Sequence, residues 1–169
     1  MRHRRIALAI LTVLFAACAV VLPAGAPSPD PAPSQAGAPP GSTAGCTLRI
    51  HVDGFRNPRG NLGTVVFKSP EGWPESLTKA TRGGPAPIDN TTRTALAVWP
   101  DLPPGNYAVA AIHDENSNAH LDRNFLGIPK EGFGFANNPH VSVGTPPFRA
   151  AIVHVACPVT DIAIHLQYK

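Results

Sequence analysis

Leu102-Pro103-Pro104-Gly105-Asn106-Tyr107-Ala108-Val109-Ala110-Ala111-Ile112-His113 is the stretch whose reading decides the fold. Its Pro-Gly pair sets a tight turn, since proline pre-sets φ and glycine accepts conformations that other residues avoid. Tyr107 then opens a strand over Asn106–His113, with Tyr107, Val109 and Ala111 on one side. That period of two is the mark of a sheet with a buried face. Upstream, Leu48, Ile50 and Val52 share one face of a strand that starts at Cys46, while Arg49 and His51 take the other. Gly54 and the run Asn57-Pro58-Arg59-Gly60-Asn61 make a turn into a second strand, Leu62–Lys68. Ser69–Asn90, with its Pro, Gly and Asp, reads as a long connection, and Arg93–Trp99 as a third strand. Downstream, Ala150–Val155 and Asp161–Gln167 complete the set, with Ile162, Ile164 and Leu166 facing in. No long segment has helical spacing. Short strands with turn punctuation predict an all-β, antiparallel sandwich of about seven strands.

The chain of 169 residues is the right size for one such domain. Its formal charge of +3 overstates the basicity of the folded part, because Arg2, Arg4 and Arg5 stand at the extreme N-terminus. From Cys46 onward, eleven Lys and Arg face ten Asp and Glu. With no basic stripe and no basic run interleaved with aromatics, nucleic-acid binding has no support.

Met1–Arg5 is short and basic, and Ile6–Leu22 is apolar without a charge, which is the pattern of a bacterial export signal over residues 1–22. Two fates for this leader stand side by side. Phe15-Ala16-Ala17-Cys18 resembles a lipobox with Phe in place of the usual Leu, which makes Cys18 the candidate lipidation site. Ordinary cleavage after Ala19 or Ala24 is the other. An uncleaved leader would serve as a membrane anchor. The expected location is exported: periplasmic or extracellular, or lipid-anchored at the envelope. Residues 23–45 are almost entirely Pro, Ala, Gly, Ser and Gln with one charge, Asp30, so they form an extended tether and not a core. The sandwich is therefore assigned to residues 46–169. Cys46 and Cys157 are an isolated pair, which an oxidising compartment favours as a disulfide over two separate thiols.

The candidate site follows the decisive strand. Asp114-Glu115-Asn116-Ser117-Asn118-Ala119-His120-Leu121-Asp122 places Asp or Asn at positions 1, 3, 5 and 9. Alternate residues of a tight loop converge, and this is the oxygen-ligand spacing of an EF-hand-type calcium loop. Asp114, Asn116, Asn118 and Asp122 would give side-chain oxygens, and His120 its backbone carbonyl. Two positions depart from the pattern. The turn glycine at position 6 is Ala119, where positive φ costs about 1 kcal/mol. Position 12 is Phe125 in place of a bidentate Glu. Glu115 points away by spacing, and Glu131 reaches the loop only if the following segment folds back. Any calcium site here is expected to be weak, and the competing reading is a metal-free loop dense in Asx turns.

The run LPPGNYAVAAIHDENSNAHLDRNFLGIPKEGFGFANN, Leu102–Asn138, resembles the core of the DUF2141 family, small exported bacterial proteins of unknown function. The resemblance is carried most specifically by His113–Asn116, Leu126–Pro129 and Gly132–Phe135, and extends from about Cys46 to the C-terminus. It implies an Ig-like or transthyretin-like sandwich and an exported location, but no activity. It also implies Asn-Gly where this chain has Asn118-Ala119.

Other constellations are plainer. His51, His154 and His165 fall on outward strand faces, where neighbouring strands would make an imidazole patch for copper or zinc and separated ones would not. Trp73, Trp99, Phe133 and Phe135 offer either a sugar-stacking face or, as the simpler reading, core and loop cover. Phosphate-loop, nucleophile-elbow, zinc-protease and dinucleotide motifs are absent from the sequence. The expectation is a non-catalytic binding or structural module that presents Leu126–Asn138 to an envelope protein, peptide or glycan. The alternative is an envelope hydrolase using His113, Asp114 and Asp122.

Overall fold

Among the described residues, eight strands arise where the alternation of apolar and polar residues leads one to expect them, with two exceptions. The computed structural model describes residues 45–142 and 144–169. The expected signal sequence, the lipidation site Cys18 and all of the tether before Gly45 lie outside the described residues. The strands are β1 (Cys46–Asp53), β2 (Asn61–Phe67), β3 (Arg82–Ala86), β4 (Ala95–Leu102), β5 (Gly105–Asp114), β6 (Gly132–Phe135), β7 (Ile152–Val155) and β8 (Val159–His165). They form two sheets, an all-β, open sandwich-like arrangement.

The smaller sheet runs β4-β1-β8 and the larger β3-β2-β5, with β6 and β7 both pairing β5. β7 takes Gly105–Ala108 and β6 takes Ala110–His113, so two short strands lie end to end along one long one. All pairs are antiparallel but one: β8 runs parallel to β1, with Ile50 opposite Ile162 and Val52 opposite Ile164. This corrects the expectation of a purely antiparallel sandwich. A parallel pair needs a long crossover, and here the whole of β2 to β7 supplies it.

β1 buries Leu48, Ile50 and Val52 and exposes Arg49, His51 and Asp53. These residues, with Ile164 of the neighbouring β8, pack with Leu62, Val66, Tyr107 and Val109 of the larger sheet to make the inter-sheet core. Tyr107 is wholly buried and its hydroxyl donates to the carbonyl of Pro103 at 2.8 Å. The Pro-Gly turn is thereby pinned to the strand it launches. Cys46 and Cys157 are joined, closing a sequence separation of 111 residues, a constraint worth about 4–5 kcal/mol in the chain-entropy view.

β5 also buries its second face. Ala108, Ala110, Phe133, Phe135, Val141 and Ala151 form a satellite cluster on the outside of the larger sheet, covered by Trp73 and Phe148. Trp73 donates to the carbonyl of Pro146 at 3.0 Å, while Trp99 packs against the main core. The four aromatics are thus divided between two cores and make no common stacking face. The cover stops short of the far half of this face. There Gly63, Val65 and Ile112 floor a groove of about 290 Å³, walled by Pro74 and Leu77 on one side and Leu121 on the other.

Candidate functional site

Residues 114–131 leave the end of β5 and return as β6, and short polar side chains hold most of this excursion together. Asp114 is only 5% exposed, and its two carboxylate oxygens accept the backbone N–H groups of Asn118 (3.0 Å) and Ala119 (2.8 Å). Asn116 Oδ1 accepts from the Asn118 N–H at 3.1 Å and Asn118 Oδ1 from the His120 N–H at 2.8 Å. These are Asx turns, in which side chains satisfy backbone donors that a tight loop would otherwise strand. Both side-chain amides then converge on one carboxylate: Asn116 Nδ2 donates to Asp122 Oδ2 at 2.8 Å and Asn118 Nδ2 to Asp122 Oδ1 at 3.1 Å. The spacing of 1, 3, 5 and 9 therefore gathers the expected residues. As arranged, the amides present N–H and not oxygen to the point of convergence.

Ser117 and Ala119 have φ of 59° and 63°. The departure from glycine at position 6 is thus a real left-handed residue, carried at a cost of roughly 1 kcal/mol. Phe125, at position 12, is 95% exposed and turned away from the loop. The segment does fold back, and Glu131 takes over the closing position. It is 4% exposed, and its carboxylate accepts the N–H of Glu115 at 2.8 Å and of Asp122 at 3.0 Å. One buried side chain thus ties the loop's two ends together. Among the described residues no three His, Cys, Asp or Glu are arranged to hold a metal ion. The candidate donors are two carboxylates, two amides and the His120 carbonyl.

Below the loop lies a second network. Gly60 sits so close that a methyl there would collide with the Asp114 carbonyl, and this lets the Gly54–Gly60 turn pack under the loop. Glu115 receives Arg56 Nε at 2.6 Å, Asn57 Nδ2 at 3.0 Å and Arg59 at 3.0 Å. Burial disfavours its charge, but the hydrogen bonds from Asn57 and Arg56 and the Arg56 charge outweigh that and hold its carboxyl below the usual range.

His113 and Asp114 are neighbours on a strand, so they point to opposite faces. His113 is fully buried on the core side against Phe55 and Tyr168. Its Nε2 lies 2.8 Å from the Arg59 carbonyl and donates to it, while Nδ1 meets the Tyr168 hydroxyl at 2.7 Å. The same hydroxyl accepts the Arg56 N–H at 3.1 Å, which leaves its proton for Nδ1. Burial pushes the Tyr168 hydroxyl pKa up, with the Glu115 charge adding to it and the Arg56 N–H opposing. His113 neither orients Asp122 nor packs beside Tyr107, and it does not share a site with Asp114 and Asp122. Of the outward histidines, His51 and His165 lie on the neighbouring strands β1 and β8 of the smaller sheet, where they meet Asp161 at 2.7 Å and Asp53 at 2.5 Å, whereas His154 is on β7 of the larger sheet and meets Asn106 at 3.0 Å.

Sequence reasoning gave the Arg56–Asn57–Arg59 cluster no role, and Glu131 one only if the following segment folded back, as it does. The only signal for them was the turn composition before β2 and a lone acid after Pro129.

Fold and site together define a two-sheet β module with one self-capped Asx loop at a strand end. Residues 50–163 match the model of DUF2141, described as an uncharacterized protein conserved in bacteria, and the chain belongs to that family. No curated protein and no solved structure matches it.

Proposed function

We propose that this protein is an exported, non-catalytic binding or structural module whose Asp114–Asp122 loop takes a hard cation such as calcium. The observation that carries the reading is the convergence of Asn116 and Asn118 on both oxygens of Asp122, beside the buried carboxylate of Asp114. A cation here would displace the two amide N–H groups from Asp122, and each amide that turned its oxygen to the ion would give up the Asx bond its Oδ1 now accepts. Two carboxylates and an existing hydrogen-bonded alternative make the site weak, in the range of roughly 0.1–1 mM or above found for extracellular modules. The cation would stiffen a loop that already stands without it, and the segment from Leu126 onward would be presented to an envelope protein, a peptide or a glycan. Export rests on the basic-then-apolar leader and the proline-rich tether that follows it. The non-catalytic reading is supported by His113, the base on which the hydrolase alternative relies, which is sealed in the core with both ring nitrogens engaged.

Calcium titration of the melting temperature tests this. With a dissociation constant near 1 mM, about 10 mM calcium adds ~1.4 kcal/mol, a rise of about 3–6 °C for a domain of this size. Asp122→Ala abolishes the rise. A flat response in the unaltered chain discards the cation and leaves a loop closed only by its own hydrogen bonds.

A further inference from the structure

The hairpin that follows the loop is built opposite to it. Arg123-Asn124-Phe125-Leu126-Gly127-Ile128-Pro129-Lys130 carries a cation at each foot, no acid, and apolar residues between. Its backbone is tightly closed. Asn124 Oδ1 accepts the N–H groups of Leu126 (2.9 Å) and Ile128 (3.0 Å), the Asn124 N–H donates to the Ile128 carbonyl at 2.9 Å, and Arg123 bridges to Pro129. Closure of the backbone leaves Phe125, Leu126 and Ile128 outside at 95%, 67% and 42% exposure. Three large apolar side chains exposed on one closed turn are costly to hold in water unless something covers them.

We infer that this tip docks on an anionic lipid surface, with Phe125, Leu126 and Ile128 entering the headgroup–acyl boundary and Arg123 and Lys130 meeting lipid phosphates. The inference rests on the export reading of the leader. The basic feet complement lipid phosphates, although Arg123 also meets Glu75 at 2.6 Å. The chain outside the described residues supplies the reach. Cys46 opens β1 and pairs with Leu102, whereas the turn after β1 meets the tip through Arg56 and the Lys130 carbonyl (3.0 Å). The tip is therefore at the end of the domain away from Cys46. The sequence puts residues 23–45 between the expected leader and β1, and a chain of that length can reach up to about 70 Å, against ~34 Å for a strand the length of β5. A domain held near a membrane by its leader can thus turn its tip to the same surface. The tether raises the effective concentration of a contact that would be weak alone.

The test places a reporter on the tip. The full chain carrying Phe125→Trp is reconstituted into phosphatidylethanolamine–phosphatidylglycerol vesicles with brominated acyl chains, beside the unaltered chain with its native Trp73 and Trp99. Docking is expected to blue-shift the new emission and to quench it at least two-fold more than the native signal. Adding Leu126→Asp should remove the difference, and high salt should reduce it. A chain that floats with the vesicles but shows no extra quenching overturns the inference while the leader reading stands. A chain that does not float, yet is quenched at residue 125 by excess vesicles, upholds the tip and overturns the leader as its membrane anchor. Failure of both ends both. A photoreactive group at residue 125 that cross-links protein and not lipid also overturns the inference.

Discussion

The loop Asp114–Asp122 and the tip Arg123–Lys130 belong to one excursion between β5 and β6, and they spend their side chains in opposite ways. In the loop, Asp114, Asn116, Asn118 and Asp122 all turn inward and saturate backbone or amide donors. In the tip, one residue, Asn124, does that work, and the apolar side chains are left outside. Short polar residues close a loop by hydrogen bonding locally, whereas apolar ones contribute only where another surface removes them from water. The loop is therefore complete within the domain, and the tip is not.

That contrast is most sharply broken at Glu131. It is buried, and both its oxygens cap the loop's ends. Glu131→Ala strands two backbone donors and should cost about 3 kcal/mol, whereas Phe125→Ser should stay within about 0.5 kcal/mol. Urea denaturation of the two variants measures both. Equal losses would mean that the tip packs as firmly as the loop.

A smaller effect separates the regions by pH. The Glu115 carboxyl is depressed in the folded state, so its contribution is present above the unfolded value of 4.5 and is lost as pH falls through the lower folded value. Acid denaturation should steepen below about pH 4.5, and Arg56→Ala should flatten it. Changes at Phe125, Leu126 or Ile128 should leave the acid profile alone, since these side chains carry no titratable group.

The smallest effect is a gain. Ala119 holds φ at 63°, so Ala119→Gly should stabilise the protein by roughly 0.5–1 kcal/mol. It should also strengthen any calcium response, because the turn no longer resists closure. A loss of stability on thermal melting would show that the methyl group packs usefully.

Much of this was legible because alternation is a local property. Leu48, Ile50 and Val52, or Tyr107, Val109 and Ala111, reveal a buried face without any knowledge of the partner. β3 was invisible, since Arg-Gly-Gly-Pro-Ala has no apolar rhythm and is a strand only because β2 offers its edge. β7 starts at Ile152, two residues later than expected, because Phe148–Ala151 form a 3-10 turn.

The sequence by itself determined the all-β class and which short polar residues would gather at the end of β5, and it favoured the pairing of Cys46 with Cys157. Each is a matter of composition or of spacing along a few residues. Only the tertiary structure decided that β8 lies parallel to β1, that Glu131 closes the loop, and that His113 is sealed beneath Tyr168 on the face opposite Asp114. Those contacts join residues that are far apart in the chain or separated by the pleat of a strand, and burial against a distant partner leaves no periodic trace in the sequence.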